Sequence, residues 1–364
     1  MNEPIQLPGS GSGSTGTMPR LGLGVYQLRG EECFAACLAG LEAGYRHIDT
    51  ARLYGNEEEV GRAVGVFLRR REEVLSDGCD DGLGVSAAGR RGRVKREDLF
   101  LTTKVGRWEG DGEKMYESVL GSVMRIAGEE DGGGYVDLIL VHRPVARWRD
   151  IWSVLGRFVR EGRARVLGVS NFGIGALEEM KKGCEGVLPC VNQIERELVA
   201  YCQQNGIVVQ AYSPLARGQR WADPVLREVV ERVRRRVGVG VREDSIPVSG
   251  RRVAGTNCRN DDPRERETAE EIPVETAEEI PVETAVTKKR EITEATVTPA
   301  QVLIRWSLQR GYVPLPKSAD AERIRENGDV FWFKLDDVEM GMLDGLDLGA
   351  AGALFPKNSA ATGL

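Results

Sequence analysis

A single (β/α)8, or TIM, barrel is the fold predicted by this α/β sequence, with a long disordered insertion before the last helix–strand unit. Two patterns carry the prediction. Short apolar runs alternate with helix-spaced segments eight times, the rhythm of a closed parallel sheet wrapped in helices rather than of an open sheet. Several runs also end in reactive groups: Asp49 after Arg46-His47-Ile48, Lys104 after Leu99 to Thr103, His142 after Val136 to Val141, and Lys317 after Tyr312 to Pro316. Parallel barrel strands all end on one face, so these residues would meet there.

The strands fall at Leu21 to Val25, Arg46 to Thr50, Leu99 to Val105, Val136 to His142, Arg165 to Ser170, Pro189 to Ile194, Ile207 to Tyr212 and Tyr312 to Pro316. Between them, helical spacing of apolar residues covers Glu31 to Ala43, Asn56 to Glu73, Gly112 to Ala127 and Trp148 to Glu161. The same spacing continues in Ile174 to Lys182, Glu197 to Gln204, Pro224 to Val237 and Pro299 to Gln309. Two stretches break the rhythm. Gly78 to Val94, rich in Gly, Asp and Arg, reads as a surface excursion. The chain as a whole, 1–364, reads as one barrel domain with a polar, low-complexity insertion at 238–297. Within it, Ala-Glu-Glu-Ile-Pro-Val-Glu-Thr occurs in tandem from Ala269 and from Ala277, two proline-bearing copies too short to stack a repeat core.

Charged residues make up 29% of the chain, and the formal charge of −6 offers no general attraction to nucleic acid or anionic lipid. The expected partner is therefore a small molecule. The basic cluster from Arg90 to Arg96 reads as a solvated loop. Cys33, Cys37, Cys79, Cys184, Cys190, Cys202 and Cys258 are scattered, with no CxxC pair or nearby histidine for zinc, and are read as reduced thiols. Met1 to Gly16 lacks the charged-then-apolar order of a signal peptide, and no apolar run is long enough to span a bilayer. These features predict a cytoplasmic enzyme that needs no metal.

The residues at the strand ends have complementary chemistry. Hydride transfer to a carbonyl leaves an alkoxide, which requires a proton donor beside the oxygen, and Tyr54 is the candidate. Lowering a phenol from pKa 10 to about 7.5 requires roughly 3.4 kcal/mol in favour of phenolate, and a buried Lys104 ammonium is expected to supply it. Asp49 would keep Lys104 charged. His142 would donate to the carbonyl oxygen and orient the substrate. His47 shares a strand face with Asp49 and is read as a supporting core residue. Competing chemistries fit poorly. Gly168-Val-Ser170-Asn-Phe-Gly173 has glycines one residue too far apart for a nucleophile elbow, no HExxH is present, and no GxGxxG joins a strand to a helix.

Taken in order, these stretches resemble the aldo-keto reductase family: Met18-Pro-Arg-Leu-Gly-Leu-Gly24, Gly44-Tyr-Arg-His-Ile-Asp-Thr-Ala51, Tyr54-Gly-Asn-Glu57, Thr103-Lys104, Leu140-Val-His142, Gly168-Val-Ser-Asn-Phe172, Asn192-Gln-Ile-Glu195, Ala211-Tyr-Ser-Pro-Leu215 and Pro316-Lys-Ser318. The matches run from about Met18 to Leu348. The resemblance implies a catalytic tetrad of Asp49, Tyr54, Lys104 and His142 and a nicotinamide cofactor across the barrel mouth. Ser170, Asn171 and Gln193 match the carboxamide-holding positions, Tyr212 the aromatic that stacks on the nicotinamide, and Ser213 and Leu215 the pyrophosphate loop. Lys317, Ser318 and Arg323 match the clamp for the adenosine 2′-phosphate, with Glu326 and Asn327 on the adenine side. Two cations on one phosphate dianion favour NADPH over NADH, although Asp320 places a negative charge between them.

Three departures accompany the resemblance. The chain is about ten residues short after Glu195, the insertion follows the seventh helix, and Arg143 directly follows His142. If Arg143 reaches the pocket it would favour anionic carbonyl substrates; Tyr26 and Trp108 are candidate lining aromatics. The resulting expectation is a monomeric carbonyl reductase using NADPH. The alternatives are an NADP(H)-binding barrel with impaired turnover, serving as a redox sensor or scaffold, and an interaction protein working through the duplicated insert.

Overall fold

In a computed structural model, the described residues are 3–8, 16–76, 94–127, 134–183, 189–194, 198–238 and 296–346. The chain divides into two units, Met1–Arg235 with Val297–Leu364, and Arg236–Thr296. Only the edges of the second are described. The tandem octapeptides, the excursion from Gly78 to Val94 except Val94 itself, the shortened segment at 195–197 and the tail beyond 346 lie outside the described residues; Val94 packs against the core.

Two strands, β1 (Ile5–Gln6) and β2 (Thr17–Met18), form an antiparallel hairpin that the sequence reading missed. It packs Leu7 and Met18 into a buried cluster with Phe100, Leu138, Val166 and Val313. Met18 Sδ accepts from Gln210 Nε2 at 3.3 Å, and Cys190 Sγ donates to Pro8 O at 2.8 Å.

The barrel strands are β3 (Leu23–Gly24), β4 (His47–Asp49), β5 (Phe100–Val105), β6 (Val136–Val141), β7 (Ala164–Ser170), β8 (Val191–Ile194), β9 (Val208–Tyr212) and β10 (Val313–Leu315). They pair in parallel in chain order as an eight-stranded sheet, the predicted architecture. Gly22 and Gly24 donate backbone N–H groups to Pro314 O at 3.1 Å and Pro316 O at 3.0 Å, joining first strand to last. A side chain at Gly24 would press on the Leu315 carbonyl, so this close approach requires glycine.

Around the sheet lie α1 (Gly30–Glu42), α2 (Glu57–Ser76), α3 (Gly112–Ala127), α4 (Trp148–Arg160), α5 (Ile174–Gly183), α6 (Val199–Gln204), α7 (Pro224–Val237) and α8 (Pro299–Gln309). In α4 the periodicity is plain: Trp148, Ile151, Trp152, Leu155 and Phe158 are buried at helical spacing, which drives that face onto the sheet. Two further helices, α9 (Ala321–Gly328) and α10 (Asp337–Asp344), were not read from the sequence, although Asp320 and Asp336 cap them and Asp336 with Glu339 forms a capping box. Both α7 and α8 lie between β9 and β10, so the helix that follows the last strand is α9. Val297, assigned to the insertion from the sequence, is fully buried, and its carbonyl accepts from Arg234 Nε at 2.9 Å. Among the described residues, no helix is long and apolar enough to cross a membrane.

Where α2 crosses α3, Gly61 lies against the carbonyl oxygens of Arg125 and Ile126, and an added Cβ would overlap Arg125 O. Backbone cannot yield as a flexible side chain does. Gly61→Ala is therefore predicted to cost about 2–3 kcal/mol despite alanine's better helix propensity. Thermal denaturation checks this; an unchanged or higher Tm would show that the crossing is looser than described.

Candidate active site

The ends of strands β4 to β10 and one turn build the site. Lys104, near the end of β5, is fully buried, and its Nζ donates to Asp49 Oδ2 at 2.5 Å, Thr50 O at 2.9 Å and Tyr54 OH at 3.2 Å. Asp49 ends β4. Beyond it, residues Arg52–Tyr54 make one 3₁₀ turn that brings Tyr54 back over the barrel mouth, and Gly55 closes the turn at φ 65°, in the left-handed region. Asn56 holds this turn from below. Its Nδ2 donates to Val25 O and Leu28 O, each at 2.9 Å, and its Oδ1 accepts from Thr50 Oγ at 2.6 Å. The sequence reading gave Asn56 no role, though Tyr54-Gly-Asn-Glu57 was the signal.

The electrostatics of this group come from burial and one ion pair. Burial opposes the charge on Lys104, but Asp49 and the Tyr54 oxygen outweigh it and hold the ammonium above the ordinary lysine range. For Tyr54 the balance differs from expectation. Burial raises its phenol above the ordinary value of 10 and outweighs the opposing pull of Lys104, so the drop to about 7.5 expected from the ammonium alone is corrected. In this half-buried position one neighbouring cation does not compensate for the hydration that phenolate would lose. His142 is driven down to about 3 by burial, with Lys104 and Arg143 adding repulsion, so it is a neutral imidazole at physiological pH. Its ring meets that of Tyr54 edge-on at 5.8 Å, and Tyr26 lies 4.9 Å from Tyr54 on another side. His47 lies deeper, fully buried, with Nε2 3.1 Å from Thr102 Oγ1.

These groups border a cavity of about 900 Å³. Asp49, Tyr54, His142 and Tyr26 line one part of it, with Lys104 behind them. Ser170, Asn171, Gln193 and Tyr212 also line it and are mutually bonded. Ser170 Oγ donates to Gln193 O at 2.9 Å, Asn171 Nδ2 donates to Ser170 Oγ at 2.9 Å and to His142 O at 3.1 Å, and Tyr212 OH donates to Asn171 Oδ1 at 3.1 Å. Gln193 Nε2 donates to Asp49 Oδ1 and to Gln210 Oε1, both at 2.8 Å, which ties this group to the Lys104 ion pair. Ser213, Leu215, Lys317, Ser318, Arg323, Glu326 and Asn327 complete the predicted residues that line the same cavity.

Two predicted substrate residues lie elsewhere. Arg143 is exposed and is not among the cavity's lining residues. Trp108 is also outside the lining, with the Arg147 guanidinium 5.0 Å from its ring centroid, while its neighbour Glu109 pairs with Arg52 at 3.1 Å. Conversely, Leu53, Arg217 and Trp221 line the cavity and were not foreseen. Arg217 arrives there on left-handed backbone, with φ 46° at Ala216 and 52° at Arg217, a conformation that leaves no composition signal in non-glycine residues.

Comparison with known proteins identifies the family and the fold. The sequence model of the Aldo/keto reductase family matches residues 20–348. Glyoxal reductase of Bacillus subtilis (strain 168) is 30% identical over 339 residues, covering 91% of this chain and 89% of its own. The crystal structure of an aldo/keto reductase from Brucella melitensis superposes with a TM-score of 0.63 at 27% identity, covering 95% of this chain and 100% of that one. A Bombyx mori aldo-keto reductase in complex with NADP gives 0.63 at 25% identity, covering 95% and 92%.

Asp49→Asn strips the buried ammonium of its counter-charge and is predicted to cost about 3–5 kcal/mol of stability at neutral pH. Adding Lys104→Met should recover most of that loss, because no buried charge is then left unpaired. Urea denaturation of the single and double variants measures both; equal stabilities would mean that the unpaired ammonium is not the source of the cost.

Proposed function

The chain belongs to the aldo/keto reductase family and is an oxidoreductase of carbonyl compounds, and on that premise we propose that it reduces an aldehyde or ketone to the alcohol with NADPH, Tyr54 supplying the proton. The observation that carries this reading is the Lys104 ammonium, held by Asp49 at 2.5 Å and reaching the Tyr54 hydroxyl at 3.2 Å beside an open cavity.

The donor set around the cavity suits a nicotinamide dinucleotide phosphate. Gln193 uses its amide N–H groups on Asp49 and Gln210, which leaves its carbonyl oxygen to accept from a carboxamide. Tyr212 provides a ring to stack on. Lys317 and Arg323 are two cations for one phosphate dianion, with Ser318 between them. Asp320 is partly committed elsewhere: its Oδ1 accepts from Arg323 N at 2.8 Å as the cap of α9 and lies 3.9 Å from Arg323 Nε. Its charge therefore supports the helix end, while the exposed Arg323 side chain remains long enough to turn toward a phosphate. Bound in this cavity, NADPH supplies the hydride.

The chain's own residues manage the proton. A phenol is neutral at physiological pH, and the upward shift at Tyr54 keeps it so despite the neighbouring ammonium, which is the state a proton donor must occupy. As negative charge grows on the substrate oxygen, the O–H bond of Tyr54 breaks toward it, and Lys104 stabilises the phenolate left behind. Neutral His142 donates one ring N–H to the same oxygen and fixes the orientation of the carbonyl. The alternative of binding without turnover would require damage beside the shortened segment. Gln193 instead keeps its register opposite Ser170 and Gln210, which supports the catalytic reading.

The test is NADPH oxidation with a panel of aliphatic and aromatic aldehydes, comparing the wild type with Tyr54→Phe. Loss of the proton donor should lower kcat by about 10²- to 10⁴-fold, with the cofactor Kd within about twofold of wild type. Tight NADPH binding without turnover in either protein would instead favour the sensor or scaffold.

A further inference from the structure

Tyr54 is carried on a turn outside the barrel sheet, whereas Lys104 is carried within it. The distance between them therefore depends on what docks that turn onto β5. Asn56 secures one side, through its bonds to Val25 O and Leu28 O at the end of β3 and in the loop beyond it. The other side is held by Glu57, the first residue of α2, which is 3% exposed. Its Oε1 accepts from Thr103 Oγ1 at 2.6 Å, and Thr103 directly precedes Lys104 in β5. Its Oε2 accepts from Arg125 Nε at 3.1 Å and Nη2 at 2.6 Å, and Arg125 in turn donates to Ser122 Oγ at 3.1 Å within α3.

This arrangement is more than a means of covering a helix end. A carboxylate in so little water is costly unless paired and hydrogen-bonded, and the guanidinium meets that need with a two-pronged contact. The second oxygen is thus left to grip Thr103. Strand alternation places Lys104 on the barrel interior and Thr103 on the outer, helix-facing side, so Glu57 holds the strand from behind at the residue next to the ammonium.

We propose that Glu57, acting through Thr103, is a positioning residue that sets the Lys104–Tyr54 contact, with Arg125 holding the carboxylate in place for that task. This rests on the proposed role of Tyr54 as proton donor. Glu57 does not meet the cavity; its effect passes through strand β5 on one side and the Tyr54 turn on the other. Loosening the tether lets the phenol move away from the ammonium. Since Lys104 is the neighbour that favours phenolate, separation makes Tyr54 a weaker acid still and slows proton delivery.

The experiment uses the full chain and three variants. Thr103→Val keeps the shape and removes the hydroxyl; Thr103→Ser restores the hydroxyl; Val119→Ala, at a buried position of α3, weakens packing without touching the tether. Steady-state reduction, NADPH binding and thermal stability are measured for each. The Tyr54 titration is taken as the tyrosinate absorbance difference between each protein and its Tyr54→Phe counterpart. The expected result is a loss of about tenfold in kcat for Thr103→Val with KM and NADPH Kd little changed, since small misplacements act on the transition state. Its Tyr54 titration should move to higher pH. Thr103→Ser should stay near wild type, and Val119→Ala should lose Tm but not kcat. A Thr103→Val protein with normal kcat and an unmoved titration, whatever its Tm, overturns the proposal. If the wild type turns over no carbonyl, the reductase reading fails, and the titration alone decides the positioning role.

Discussion

A buried ammonium governs this structure. Lys104 has no exposed surface, and an unpaired charge there would cost several kcal/mol, so the surrounding chain has to supply its partners. It does so from three directions, with the Asp49 carboxylate, the Thr50 carbonyl and the Tyr54 hydroxyl. Meeting the lysine's needs fixes the ends of β4 and β5 relative to each other and brings the Tyr54 turn down over the barrel mouth. In the proposed mechanism the stabilising contact and the chemical one are therefore the same, which gives a reason for so deep a burial of Lys104.

From that pair the polar order spreads outward. Asp49 also accepts from Gln193, which is bonded to Gln210, and the Ser170 and Asn171 side chains join the His142 carbonyl to Tyr212. Beneath and behind, Asn56 and Glu57 hold the same turn to the end of β3 and to β5, the strands on either side of β4. A cofactor in the cavity would meet groups already oriented by one another, which reduces the entropy lost on binding. The barrel makes this possible because parallel strands deliver all these residues to one face from distant parts of the chain.

The strand ends were legible because a parallel barrel makes sequence position nearly equivalent to spatial position: Asp49, Lys104, His142 and Lys317 could be placed together once eight alternations were seen. The amphipathic spacing of α4 was equally readable. Less visible were features that depend on distances. The two-residue strands of the N-terminal hairpin are too short for a periodic signal. The direction of the Tyr54 shift turns on how far burial outweighs one cation, and no spacing rule contains that balance. Loop residues were the hardest to place. Arg143 and Trp108 sit outside the cavity lining while Arg217 and Trp221 enter it, because connection geometry, rather than proximity in sequence to a strand end, decides where such side chains fall.

The central claim is that Tyr54, a protonated phenol at neutral pH, serves as the acid, with Lys104 stabilising the phenolate left behind. The pH dependence of kcat in both directions tests it most directly. A group whose pKa is raised keeps its proton until the medium is alkaline, so carbonyl reduction should be level from about pH 6 to about pH 8 and fall only above that. Alcohol oxidation, which needs the phenolate, should rise across the same alkaline range with the same midpoint. A reduction rate that instead climbs with pH through neutrality, or a pair of profiles that Tyr54→Phe leaves in place, would contradict the account.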